Sequence, residues 1–137
     1  MKKYILIIFV IIVGCIKQKE AGGFMPKAGF MKQSGIYTSK SFIISIKKYD
    51  NGSLTFGVCD RKYKIIYQQS IFNSFSPNQY WFLYKDEKEN IWFYSSDIQH
   101  SKVLLKDKYT NLYTVHDFCK ENIKLPSEIS KDYIICF

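Results

Sequence analysis

Two aromatic runs, Tyr80-Trp81-Phe82-Leu83-Tyr84 and Ile91-Trp92-Phe93-Tyr94, flank the charged stretch Lys85-Asp86-Glu87-Lys88-Glu89-Asn90 and restrict the fold more than any other part of this chain. Short runs of strand-favouring residues on either side of a hydrophilic connection read as a β-hairpin. Successive side chains of a strand point to opposite faces, and here both faces of both strands are apolar. Such a pair cannot lie on a wet surface. It has to be central, covered on each side by another layer or by a partner.

A cleaner local pattern lies upstream. Phe42, Ile44 and Ile46 alternate with Ser41, Ser45 and Lys47 within residues 40–49, the period of a half-buried strand. Asp50-Asn51-Gly52-Ser53 follows, and Asn-Gly supplies the positive φ of a tight hairpin turn. Leu54, Phe56 and Val58 carry the apolar face back. Residues 61–69, rich in Ile and Tyr, read as a third strand, 73–78 as a loop around Pro77, and 103–105 and 109–115 as two further short strands. After His116 the pattern changes. Asp117 is placed to cap a short helix through 122, and Pro126 suits the first turn of another over 126–131. Tyr133-Ile134-Ile135-Cys136-Phe137 reads as a closing strand. The expected fold is mainly β, a small antiparallel sandwich or meander with one or two short C-terminal helices.

The N-terminus carries a signal of another kind. Lys2 and Lys3 precede an apolar run from Ile5 that closes on Ile12-Val13-Gly14-Cys15. This is the order of an export signal, and the run is shorter than the ~20 residues that span a bilayer. The four closing residues resemble the bacterial lipoprotein processing box. The resemblance implies cleavage between Gly14 and Cys15, a diacylglycerol on the Cys15 thiol and an acylated new amino group. Anchorage by two or three chains would be firm, since each buried methylene contributes about 0.8 kcal/mol. Ile16 stands where many Gram-negative lipoproteins carry an inner-membrane retention aspartate, so by analogy the periplasmic face of the outer membrane is expected. A secretory peptide or membrane anchor with an incidental cysteine is the alternative. The expected division is a signal peptide over 1–14, a lipidated cysteine and flexible tether over 15–35, and a single β-rich periplasmic domain over 36–137. Phe24, Met25, Phe30 and Met31 are unusually apolar for a tether, suited to dipping into lipid or docking on the domain.

Loss of residues 1–14 would leave 123 of the 137 residues and, without Lys2 and Lys3, lower the formal charge from +8 to +6. That length suits one domain. The lysines are scattered, without the stripe that nucleic acid requires, so no nucleic-acid partner is expected. Anionic headgroups, an acidic protein partner or solubility account for the charge. Cys59, Cys119 and Cys136 remain, and an oxidising periplasm allows one bridge among three pairings. The short loop favours Cys119–Cys136, with buried free thiols as the alternative. No cysteine or histidine spacing suggests zinc, and no cofactor is expected.

Catalytic patterns are weak. Ser95, Ser96, Asp97 and His100 can be written as a serine–histidine–aspartate set, but no Gly-x-Ser-x-Gly elbow or glycine-rich oxyanion site accompanies them. A turn in which Ser96 or Asp97 bonds its own backbone is the simpler reading. His116 beside Asp117 reads as a helix start. Asp86, Glu87 and Glu89 sit in a lysine-containing turn where nothing raises their pKa values. No phosphate or metal loop is present, and no catalytic residue is expected. The 11 Tyr, 11 Phe and 2 Trp suit strands but also binding surfaces. If an exposed patch exists, Trp81, Tyr84, Trp92 and Tyr94 are the candidates for partner contact. The expected function is that of a lipid-anchored, non-catalytic envelope protein binding another protein, resembling immunity proteins and hydrolase inhibitors in layout. An accessory component of outer-membrane assembly or maintenance is the alternative, and an exported hydrolase comes third.

Overall fold

Strand alternation builds two sheets that share one core. The structure, a computed structural model, describes residues 23–136 except 26, 98 and 99. The export signal, Gly14, Cys15, the first part of the expected tether and Phe137 lie outside the described residues. The strands are β1 (Gly23–Phe24), β2 (Gly29–Phe30), β3 (Gly35–Thr38), β4 (Phe42–Lys48), β5 (Leu54–Asp60), β6 (Ile65–Gln68), β7 (Trp81–Lys85), β8 (Ile91–Ser95), β9 (His100–Lys106) and β10 (Tyr113–Asp117). The first sheet has the order β1-β3-β4-β5-β6 and the second β10-β9-β8-β7-β2. Neighbours are antiparallel except for the parallel pair β1–β3. The mainly β fold expected from the sequence is present.

Phe42, Ile44 and Ile46 of β4 and Leu54, Phe56 and Val58 of β5 pack against Leu83, Ile91, Phe93 and Leu104 of the second sheet. Aromatic rings close the gap between the layers: Phe56 meets Phe93 edge-on at 4.9 Å, and Phe75 stacks on Trp81 at 4.6 Å. The β4–β5 hairpin forms with the expected apolar face and runs in register from Phe42↔Asp60 to Lys48↔Leu54. At its turn Gly52 takes a φ of 82°, and the Asn51 carboxamide oxygen accepts from the Ser53 N–H and hydroxyl.

The tether expected over 15–35 gives way to sheet from Gly23 onward. β1 adds to β3 and β2 adds to β7, so the segment lines one edge of each sheet. Met31 is fully buried in the core and Met25 packs against it. Edge strands leave backbone groups unpaired, and this segment pairs with them while burying Met31 and half-burying Met25. Of the two readings of its apolar residues, docking on the domain describes Met25 and Met31.

The C-terminal helices are corrected as well. Asp117 does accept from the Lys120 N–H as a cap would, but Asn122 turns left-handed at φ 53° and the Ile123 N–H returns to the Phe118 carbonyl. Residues 118–122 are therefore turns. The helix expected over 126–131 is a turn closed by the Ile129 N–H on Pro126, followed by a single 3-10 turn at Lys131–Tyr133. Among the described residues the closing strand is absent: Ile134 packs on the outer face of the second sheet and the Ile135 N–H donates to the Tyr94 hydroxyl, and across a sheet face no ladder groups are free.

One buried polar network joins both sheets. The Lys85 ammonium, 1% exposed, donates to the Lys27 carbonyl at 2.8 Å and lies 3.4 Å from a Glu89 carboxylate oxygen. The other Glu89 oxygen accepts from the Ser39 hydroxyl at 2.8 Å, and the Tyr113 hydroxyl donates to the Glu89 carbonyl. Removing one member of a buried pair strands the other. Lys85→Ala should therefore cost ~3–5 kcal/mol of unfolding free energy, whereas Phe72→Ala, at a site 90% exposed, should stay within ~0.5 kcal/mol. Urea unfolding of the two variants measures both.

Candidate functional site

The second sheet has an apolar outer face too. Phe82, Tyr84, Trp92, Tyr94 and Val103 point away from the first sheet and form a second core with Phe118 and Ile129. The C-terminal segment is the lid over this face. Phe118 packs its ring 5.9 Å from that of Trp92, the Ile135 N–H donates to the Tyr94 hydroxyl at 3.1 Å, and Tyr80 and Tyr133 meet at 4.9 Å. Burial raises the Tyr84 phenol, reinforced by the charge of Glu128 and a hydrogen bond with it. A disulfide joins Cys119 to Cys136 with a Cα separation of 5.2 Å, while Cys59 is a buried thiol in β5.

This geometry corrects the candidate partner surface. Tyr84, Trp92 and Tyr94 are buried, and Trp81 is half-buried on the opposite face against Phe75. The covering layer anticipated for the aromatic hairpin is the chain's own C-terminal segment. The charged connection is specific as well: one Asp86 oxygen accepts from the Lys88 and Asn90 N–H groups, and the other from the Trp92 indole and Asn90 carboxamide.

An open cleft of about 410 Å³ is formed within the cover itself, with Phe118, Ile123, Leu125 and Ile134 as its apolar lining, the disulfide beside them, and Lys124 and Lys131 among its polar groups. Its size falls within the ~300–1,000 Å³ of small-molecule sites.

At the root of the cover, Asp117 accepts from the Ser101 hydroxyl at 2.7 Å and the Lys102 ammonium at 3.0 Å. Its partial burial pushes the carboxyl up, but the Lys120 N–H, Ser101 and Lys102 outweigh this and hold it at about 2. His116 bridges the Thr114 hydroxyl and Glu121, and the hydrogen bonds from His116 and the Asp117 N–H lower the Glu121 carboxyl. The cluster fixes the turn that aims Phe118 at Trp92.

Ser96, Asp97 and His100 are not brought together. The Ser96 hydroxyl donates to Gln79 at 3.5 Å and its N–H to the Tyr80 carbonyl, while Asp97 is exposed. His100 pairs with Ser95 across β8–β9. Burial and the Lys102 charge lower its pKa against an opposing pull from Asp117. Among the described residues, both the Ser95 hydroxyl and His100 Nδ1 are buried without a hydrogen-bond partner. Among the described residues, no hydrogen bond links the three, and no group of three His, Cys, Asp or Glu side chains is arranged to hold a metal.

Besides Phe30, Tyr80, Tyr133 and Ile135, the exposed large apolar residues lie on two open edges. Tyr63, Ile65, Ile71 and Phe72 flank β6, and Tyr109, Leu112 and Val115 lie along the β9–β10 hairpin. Their sequence signal was faint: Ile71-Phe72 interrupts a polar loop, and Val115 sits in an ordinary strand pattern.

Replacing both Cys119 and Cys136 by Ser should cost about 3 kcal/mol, the loop-closure value for a short loop. Amide exchange should then rise first over 119–136 and next at Trp92, Phe93 and Tyr94. The Asp117 carboxyl lies lower in the folded chain than its ordinary 3.8, so its contribution to stability is present above about pH 4 and disappears as the pH falls toward about 2. Asp117→Asn should flatten that part of the thermal-midpoint profile. Comparison of the chain with protein-family models, curated proteins and solved structures finds no match in any of the three.

Proposed function

We propose that the protein is a lipid-anchored component of the bacterial cell envelope whose β-sandwich body binds another protein, in the manner of immunity proteins and hydrolase inhibitors. The Cys119–Cys136 disulfide is the observation that supports this most. Disulfides persist in oxidising compartments, and the signal ending in Ile12-Val13-Gly14-Cys15 would deliver the chain to one. Two features far apart in the sequence and unrelated in chemistry thus agree on the compartment.

For partner contact, the covered aromatic face gives way to the β10 edge. Val115 is 52% exposed and Leu112 65% exposed, and among the described residues β10 has a strand on one side only. Such an edge offers backbone groups and apolar side chains to an added strand.

Intact-mass analysis of protein extracted from membranes tests the anchor. The expected species lacks residues 1–14 and carries acyl chains on Cys15, and Cys15→Ser should prevent both changes. An unmodified thiol at Cys15 would remove the reading. Capture from envelope extract tests the partner: Val115→Asp should abolish recovery of a specific protein while leaving the thermal midpoint within a few degrees. Recovery of an outer-membrane assembly complex would favour the accessory role instead.

A further inference from the structure

Residues 61–73 build a surface that the protein-binding reading does not use. Tyr63 is 57% exposed, Ile65 56%, Ile71 55% and Phe72 90%. All four lie on or flank β6, the last strand of the first sheet, which among the described residues has no neighbour on its outer side. Arg61, Lys62 and Lys64 share the same stretch and are exposed. Among the described residues none of the three pairs with a carboxylate.

The exposure is built in. Asp60 accepts from the N–H groups of Lys62 and Lys64, and Tyr63 at the tip takes a φ of 65°. At the other end of β6, Ile71–Asn73 form a 3-10 turn capped by the Ser70 hydroxyl. The buried Gln69 carboxamide holds this turn from below, donating to the Asn73 carbonyl at 2.6 Å and accepting from the Phe56 N–H at 3.0 Å. Two residues beyond the turn, Phe75 is locked into the core by its bridge to Leu54. The Phe72 ring therefore cannot swing inward to bury itself.

We infer that this edge rests on an anionic lipid surface, with Phe72, Ile71, Ile65 and Tyr63 entering the headgroup layer and Arg61, Lys62 and Lys64 meeting the phosphates. Arg61 donates to the Ser39 carbonyl at 3.3 Å but keeps its charge unneutralised, and apolar and aromatic tips beside such cations are the chemistry of interfacial binding. Each basic residue near an anionic surface strengthens it about fivefold. A side chain as exposed as Phe72 projects clear of its surroundings, which suits entry into a fluid layer. A protein partner would need a pocket shaped to receive it. The inference adds to the proposed anchorage without depending on it, because it concerns the body's own surface.

A reporter at the edge tests it in the full chain. Phe72→Trp adds an exposed indole to the buried Trp92 and half-buried Trp81, and Tyr109→Trp places a control on the β9–β10 turn of the other sheet. With vesicles of phosphatidylglycerol and phosphatidylcholine brominated in their acyl chains, the added emission of the Phe72→Trp protein should be strongly quenched and blue-shifted. That of the Tyr109→Trp protein should change little. Lys62→Glu with Lys64→Glu should erase the difference between these vesicles and purely phosphatidylcholine ones. Sedimentation of the same samples reports anchorage separately. A chain that pellets with vesicles while the edge indole stays unquenched would overturn the inference and leave the anchor standing. A chain that stays in the supernatant unquenched, or one whose edge indole is shielded by an envelope protein in place of lipid, would also overturn it.

Discussion

The β7–β8 hairpin is apolar on both faces, and the rest of the molecule is arranged to keep both away from water. On one side Phe93 meets Phe56 of the first sheet. On the other, Trp92 meets Phe118 and the C-terminal segment closes over Tyr84 and Tyr94. The result is three layers, the third of them nearly without regular structure. A layer of turns buries little of its own backbone and gains little from ladder hydrogen bonds. The Cys119–Cys136 bridge compensates by restricting the unfolded segment. Asp86 makes the central indole tolerable, since a buried Trp N–H needs an acceptor.

The N-terminal strap solves a different problem. Its two short strands occupy one edge of each sheet, leaving β6 and β10 as the open ones. The Lys85–Glu89–Ser39 network then ties the strap, the first sheet and the second together at a buried point. Under the proposed anchorage this has a geometric consequence. Seven residues separate Cys15 from Gly23, and they reach at most ~25 Å fully extended. A body starting at Gly23 would stay closer to the lipid than one on a tether reaching Gly35.

Period-two patterning made the β4–β5 and β7–β8 hairpins legible, because each strand's inward residues announce themselves by spacing. It also showed that β7 and β8 need cover on both faces. What it could not reveal was that the cover would be an irregular segment of the same chain. Trp92 and Tyr94 therefore looked available for a partner when they were already engaged. The strap was missed because Gly23, Gly29 and the lysines around them resemble a linker, while strand pairing at an edge depends on backbone groups that side-chain patterns do not report. Asp117 does cap, but the left-handed Asn122 ends the turn before a helix can start. Loop length favoured the Cys119–Cys136 pairing but left buried free thiols open, and the bridge is present. Phe72 gave no warning, since composition does not distinguish a phenylalanine held outward by Gln69 and Ser70 from one that folds inward.

Solvent access to Trp92 tests this account most directly. In Trp81→Phe protein with the disulfide intact, Trp92 is the sole indole, and it is 4% exposed beneath Phe118. Acrylamide should quench its emission far less than that of a free indole, and reduction of the disulfide should increase the quenching. Quenching in the oxidised protein equal to that of a free indole would mean that the aromatic face lies open and the three-layer arrangement is wrong.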